Sequence, residues 1–356
     1  SNPYMLGYHN DSRVYTLEAQ AIFGELYWDV TDALRLTFGG RYSEEEKEGR
    51  QRTIYVTFAD LPPIQPNNAF FEPKYEQEEF TWKVNATYDF SDDVMMYATV
   101  SSSFKSGGFN GANSNTTTQL IPYEEEVLTA YELGTKATLA GGTMQVNGAV
   151  FYYDYKDKQE QDAAVTLVGN ISGLTNVDES EIYGAEVEFT WQPTEGLTLA
   201  ANGAWLDSEV KKWQAVDRAT SSYPNNINYY DASGQELAMT PDFSYTLYAR
   251  YEMPITNSLM LDLSADYNQT GKTTGGPRPE DATEEYGVAN ARVGLGSSSG
   301  NWRVMAWVRN LTDEDYYPSA YTGGNGPYVR TYGMPRTYGL TFSYFIGQLS
   351  TGVLTT

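Results

Sequence analysis

The sequence predicts an all-β chain, a transmembrane antiparallel β-barrel, and three observations predict it. Apolar side chains recur at every second position, connections alternate between short and long, and aromatic residues gather at strand ends. A membrane strand needs lipid-facing side chains only at alternate positions. Half of its residues therefore stay polar, and a mean hydropathy of -0.50 does not register it. No apolar run comes near the roughly 18 to 20 residues that a membrane-spanning helix requires.

The strands follow in order, each tested against periods of two and 3.6. The first, over 13–29, sets Ile22, Gly24, Leu26 and Trp28 on one face. The second, 34–43, sets Leu34, Leu36, Phe38, Gly40 and Tyr42 against Arg35, Thr37 and Arg41. The third, 77–89, alternates Phe80, Trp82, Val84, Ala86 and Tyr88 with Thr81, Lys83, Asn85 and Thr87. The fourth (94–104), fifth (124–139) and sixth (143–157) carry Val94 and Met96, Tyr131 and Leu133, and Val146 and Val150. The seventh, 179–191, sets Tyr183, Val187, Phe189 and Trp191 against Glu186, Glu188 and Thr190, and the eighth spans 197–208. Strands over 240–252, 258–270, 284–296, 300–310 and 327–346 bring the count to thirteen, and no segment has the pattern of an amphipathic helix.

The turns at 30–32, 91–93, 140–142, 193–196, 254–257 and 297–300 are short. The loops at 44–76, 105–122, 158–178, 209–235, 271–283 and 312–326 are long, polar and rich in Gly, Asn, Asp, Pro and Tyr. Outer-membrane barrels have short turns at one end and long loops at the other. A β-sandwich, the soluble alternative, seldom pairs strands of this length with such one-sided loops. Trp28, Tyr88, Phe90, Trp191 and Tyr251 lie near short turns, while Tyr42, Tyr152, Trp205 and Tyr267 lie near long loops. Two girdles of this kind mark the two membrane interfaces.

Composition narrows the function. The chain of 356 residues shows no linker or composition shift, so residues 1–346 read as one barrel domain, with 347–356 a tail beyond the last strand. With no Cys and a single His, His9, it offers neither a disulfide framework nor a His/Cys metal site. A net charge of -24 argues against a nucleic-acid partner. The acidic clusters at 44–50, 72–79, 123–126, 156–162 and 279–285 fall between strands and read as solvated loops. An acidic exterior also suits divalent ions bridging loops to lipopolysaccharide.

Inward positions carry both signs, Arg35, Arg41, Lys83, Lys136, Arg250, Arg292, Arg303 and Arg309 with Glu132, Glu186, Glu188, Asp262 and Asp266. Glu186 and Glu188 share a face because residues two apart on a strand do so by geometry. No nucleophile elbow, phosphate loop or triad is present, so no catalytic residue is expected and the chain does not read as an enzyme. No signal peptide precedes Ser1, and the opening residues read as loop, so the sequence is expected to begin part-way through a longer mature chain.

Asn310-Leu311-Thr312-Asp313, then Tyr316-Tyr317, Gly333, Pro335-Arg336-Thr337-Tyr338-Gly339 and an aromatic final strand resemble the C-terminal end of TonB-dependent outer-membrane receptors. Phe104 to Asn110, 130–139 and 182–197 resemble further segments of that family, in its order, across nearly the whole chain. The resemblance implies a 22-stranded barrel with a plugged lumen. The thirteen strands are then its last thirteen, with about nine strands and the plug to be supplied by the same or a separate chain. The parity fits, since a short turn follows the first strand. Two features depart from the family pattern: TonB box and plug sequences are absent, and Ile346 to Thr356 run on past the aromatic Phe345.

The resemblance implies the bacterial outer membrane and active uptake of a siderophore-like iron chelate or another scarce nutrient. It also implies coupling through the plug to the TonB-ExbB-ExbD complex, contact with lipopolysaccharide and outer-membrane lipid, and no cofactor. A passive porin is the alternative, and an outer-membrane hydrolase a third reading. Small-molecule capture falls to the loops and the lumen mouth. One candidate cluster is Phe104, Lys105, Phe109 and Asn110; another is Tyr316, Tyr317, Tyr321, Tyr328 and Arg330. Aromatic faces and a guanidinium suit flat chelates or sugar rings.

Overall fold

Alternating branched or aromatic and polar residues favour extended backbone, and strands dominate the computed structural model, which describes residues 5–57, 70–110, 122–166, 169–217, 220–222, 226–275, 281–322 and 328–345. The first eight strands are β1 (Met5–Asp29), β2 (Leu34–Thr57), β3 (Lys74–Ser91), β4 (Val94–Lys105), β5 (Glu126–Leu139), β6 (Met144–Thr166), β7 (Gly169–Thr194) and β8 (Leu197–Lys212). After a small hairpin of β9 (Gln214–Val216) and β10 (Tyr229–Asp231) come β11 (Phe243–Thr256), β12 (Leu259–Thr270), β13 (Tyr286–Ser297) and β14 (Trp302–Arg309). A second hairpin, β15 (Ser319–Thr322) with β16 (Tyr328–Thr331), precedes β17 (Thr337–Tyr344).

Thirteen strands form one sheet in the order β1-β2-β3-β4-β5-β6-β7-β8-β11-β12-β13-β14-β17. Every neighbouring pair is antiparallel. The register aligns the apolar positions across strands, so that Tyr251, Leu263, Val293, Ala306 and Leu340 stand in one row. The adjacent row, Arg250, Ser264, Arg292, Trp307 and Gly339, belongs to the other face. Large apolar side chains on the first face stay uncovered, with Ile22 75% and Leu340 78% exposed. A continuous apolar face of this kind belongs against lipid, and the polar face lines a lumen.

The short turns close as the sequence predicts. At 140–142 a single 3-10 turn places Gly141 at φ 65 and Gly142 at φ 91, a left-handed backbone in which Gly carries no Cβ penalty. A buried apolar cluster lies at the opposite end of the sheet, where Val177, Val210, Trp213, Ala215, Ala232 and Leu237 join the tips of β7 and β8 to the β9–β10 hairpin. Among the described residues no α-helix is present.

Three expectations need correction, the first being the opening residues read as loop, since β1 already begins at Met5. The loops assigned to 44–76 and 158–178 are largely strand, since β2 runs on to Thr57, β6 to Thr166, and β7 begins at Gly169. The strand assigned to 327–346 divides into β16 and β17. Pro335 lies between them and, lacking an N–H, cannot donate to a ladder. The tail assigned to 347–356 lies outside the described residues.

The sheet is open: β1 and β17 stand at opposite ends of its order. Lipid cannot satisfy such edges, because each unpaired backbone group there costs several kcal/mol.

Face assignment gives the first prediction. Val187, midway between Tyr183 and Trp191 on the apolar face, is 49% exposed. In the full-length protein in lipid, Val187→Arg is expected to lower unfolding stability by about 2–4 kcal/mol, and Thr190→Arg on the polar face by less than about 1. Urea titration followed by heat-modifiable gel migration checks this, and equal losses would contradict the assignment.

Candidate functional site

The two predicted clusters both reach the long-loop end, but the structure builds them differently. Strand alternation in β4 puts Phe104 on the apolar face opposite Val127, while Lys105 lies on the polar face and is exposed. From Ser106 the chain leaves the sheet and returns across the polar faces of β2 and β3 as a strap. A two-way backbone pair between Gly108 and Tyr123, 2.8 Å each way, ties it to the start of the next strand.

Lys47 Nζ anchors the strap by donating to Ser106 Oγ at 2.5 Å and Gly107 O at 2.6 Å. Burial pushes the lysine's pKa down, and Glu45 at 3.9 Å only partly opposes this. Gln77 Oε1 accepts from Gly107 N, and Gln51 Nε2 donates to Asn110 O at 2.8 Å. Tyr75 donates to Glu125 at 2.7 Å, and burial, then this carboxylate, raise its phenol pKa.

Phe109 and Asn110 are the strap's far clamps. The Phe109 ring lies over Gly49, where an added Cβ would meet it at 2.6 Å, and 5.7 Å from the Tyr15 ring. Asn110 makes two hydrogen bonds with Leu174 on β7: Nδ2 donates to the carbonyl at 2.8 Å and Oδ1 accepts from the amide at 2.7 Å. These side chains hold loop to wall. Lys105 is the one member of this cluster exposed on the polar face.

The second cluster is more compact. Arg330 on β16 places its guanidinium carbon 4.9 Å from both the Tyr317 and the Tyr328 ring centroids, and its Nε donates to Tyr328 Oη at 2.9 Å. Tyr317 also meets Tyr332 at 4.9 Å, and the hydrogen bond its phenol gives to that neighbour raises its pKa. Tyr316 turns away to stack on Tyr286 at 4.5 Å and covers Gly333, whose N–H donates to Tyr316 O. Tyr321, on β15, is exposed and apart from the sandwich.

The structure therefore joins Tyr317, Tyr328 and Arg330 and adds Tyr332. Among the described residues no hydrogen bond, ion pair or ring contact joins them to the strap. Sequence reading passed over Tyr286, Tyr332 and Lys47; only their partners, many residues away, distinguish them from other loop residues.

The Asn310 to Asp313 segment is a built corner. Asn310 adopts φ 51 and is 2% exposed. Its side chain donates to Glu314 O at 2.9 Å and Met334 O at 3.2 Å and accepts from Glu314 N at 2.8 Å. Arg336 closes onto Asp313 at 2.9 Å. This corner fixes the root of the hairpin that carries Arg330.

Below the loops, several wall charges are paired. Asp262 accepts from both Arg250 and Arg303, and Asp266 from Asn290 at 2.6 Å and Arg292 at 2.9 Å. Tyr97 donates to Glu132 at 2.6 Å, and Lys83 binds Glu25 at 2.6 Å. Among the described residues no group of three His, Cys, Asp or Glu is placed to hold a metal ion.

A sheet apolar outside and polar inside, with short turns at one end and built loops at the other, is the wall of an outer-membrane β-barrel. Residues 1–311 match the family described as TonB dependent receptor-like, beta-barrel, and the chain belongs to it. The pesticin receptor of Yersinia pestis is 26% identical over 200 residues, which cover 54% of this chain and 26% of that protein. The ferrichrome outer membrane transporter/phage receptor of Escherichia coli is 23% identical over 300 residues, covering 82% of this chain and 34% of that one. Among solved structures, the ferric yersiniabactin uptake receptor FyuA from Yersinia pestis superposes with a TM-score of 0.71 at 20% identity, covering 92% of this chain and 45% of that one. The siderophore receptor PiuA from Acinetobacter baumannii gives 0.70 at 19%, covering 93% and 43%. The chain thus spans less than half the length of these relatives, and like them it is an outer-membrane protein.

Asn110→Ala removes both hydrogen bonds to Leu174 and is expected to lower local stability by about 1–3 kcal/mol. Hydrogen exchange should show faster exchange at the Leu174 amide with the mid-barrel ladders unchanged. Unaltered protection there would contradict the clamp.

Proposed function

We propose that this chain is the C-terminal part of the barrel of an active outer-membrane transporter that takes up a siderophore-like iron chelate or another scarce nutrient. The observation that carries the reading is the Tyr317–Arg330–Tyr328 sandwich, held at the long-loop end above a polar wall. A guanidinium flanked by phenol faces offers positive charge and flat apolar surface together, which suits a planar anionic chelate. Lys105, exposed on the polar face of the same sheet, supplies a second positive contact.

The names of the relatives support a ferric chelate: receptors for ferric yersiniabactin and for a siderophore share this fold. In the proposed mechanism, ligand binds at the loop end and the polar wall holds a plug through hydrogen bonds and ion pairs. The TonB-ExbB-ExbD complex acts on that plug to open the path. The remaining barrel strands pair with the free edges of β1 and β17, in the same chain or a partner, and lipopolysaccharide and lipid surround the apolar face.

The test uses the full-length protein and a panel of radiolabelled ferric chelates. Arg330→Ala with Tyr317→Ala is expected to weaken capture by about 10-fold or more, corresponding to about 1.4 kcal/mol or more. Uptake is expected to stop in a host lacking TonB. Uptake that persists there would favour a passive channel and reject the active reading.

A further inference from the structure

The β15–β16 hairpin that carries Arg330 is seated on the wall at β13. Tyr286, the first residue of that strand, stacks on Tyr316 with ring centroids 4.5 Å apart and planes at 25°. By strand alternation Tyr286 shares the polar, lumenal face with Asn290 and Arg292. Asn290 supports the other side of the root, where its Oδ1 accepts from Asn310 N at 3.0 Å, and Leu311 N donates to Ala289 O at 2.7 Å. A third support is Gly275 on the β12–β13 connection: a Cβ added there would run into the carbonyl oxygen of Ala320, which is buried on β15.

Of these supports, the Tyr286 stack leads directly to the sandwich. Tyr316 and Tyr317 are adjacent, and their rings go different ways, one to Tyr286 and the other to Arg330. Holding the first ring therefore fixes the rotation of the backbone that aims the second. The backbone closes the arrangement from the far side. Gly333 N donates to Tyr316 O at 2.8 Å, and the Tyr316 ring covers Gly333 so closely that a Cβ there would collide with it. That bond brings Tyr332, next in the chain to Gly333, to 4.9 Å from the Tyr317 ring.

The hairpin cannot supply this order by itself. Its strands are four residues each, and a two-stranded hairpin on its own is marginally stable in water. Arg330 is exposed, and its hydrogen-bond partner Tyr328 rides on the same short strand, so that bond does not tie the guanidinium to the barrel. Tyr317 is the member of the sandwich that adjoins a wall-bound residue. Its orientation passes from β13 through one aromatic pair, and such pairs stabilise beyond the area they bury.

We propose that Tyr286 is a positioning residue for capture: by stacking on Tyr316 it aims Tyr317, and with it Arg330, at a planar anionic chelate, without contacting the chelate itself. The inference rests on the capture role given to the sandwich above, and adds the wall residue on which that sandwich depends.

The experiment uses full-length protein purified in detergent. The probes are radiolabelled ferric complexes of a catecholate and of citrate, and hydrogen exchange at the Gly333 amide gives a reading that needs neither. Tyr286→Ala is expected to weaken binding of the preferred probe about 2- to 10-fold, the worth of one aromatic pair, and to speed exchange at Gly333. Tyr286→Phe, which keeps the ring, should leave both at wild-type values, and Tyr286→Leu carries the test if the Ala variant does not fold. Added to Arg330→Ala with Tyr317→Ala, Tyr286→Ala should cost no further binding, because its route to the chelate is already gone. Wild-type binding in the folded Ala or Leu variant, unchanged exchange at Gly333, or a further loss in the triple variant each overturns the positioning role. Binding of both probes unaffected by Arg330→Ala with Tyr317→Ala would instead remove the capture reading, and the role in capture with it, while faster Gly333 exchange in Tyr286→Ala would leave the hold of Tyr286 on the hairpin standing.

Discussion

The structure depends on one constraint: in lipid, a backbone N–H or C=O has no water to turn to, so each must find its partner in the next strand. That requirement accounts for the continuous antiparallel pairing of consecutive strands from β2 to β8 and for register shifts that fall near the ends of that pairing, as between Asp89 and Ser91 or Trp191 and Thr194. It also explains the composition. Ladders that are fully paired need no all-apolar sequence, so one face remains free to carry Arg, Asp, Glu and Asn, and these pair with one another across the wall.

The same constraint sets how much of the fold was legible in the sequence. Within the membrane zone the outer face must be apolar, so period-two alternation marks each strand, and Phe80 to Tyr88 or Tyr183 to Trp191 are plain. Beyond it the same strands continue in water, where their outer face becomes Glu44, Glu46, Glu48, Arg50 and Arg52. Polar residues then alternate with polar residues, the signal vanishes, and a strand reads as a loop. The break at Pro335 is the reverse case, in which aromatic residues on both sides suggested one strand across a proline that divides two.

The candidate sites were partly legible for a related reason. Tyr317, Tyr328 and Arg330 share a hairpin and its root, so local sequence kept them together. Phe109 and Asn110 instead act through Gly49 and Leu174, tens of residues distant in the chain. A loop residue that clamps and one that waits for ligand look alike until their partners are seen. The loop end has an order of its own: a buried cluster from Val177 to Leu237, a strap latched by Lys47 and a corner built on Asn310 give it fixed shape independently of the membrane.

The central claim is that this sheet is part of a wall whose free edges are closed by further strands. The most direct measurement is refolding into lipid vesicles of residues 1–356 alone, compared with the same residues preceded by the rest of the barrel and read by heat-modifiable migration. The account predicts that only the longer protein inserts as a folded monomer. A heat-modifiable monomer of residues 1–356, closed through pairing of β1 with β17, would contradict it.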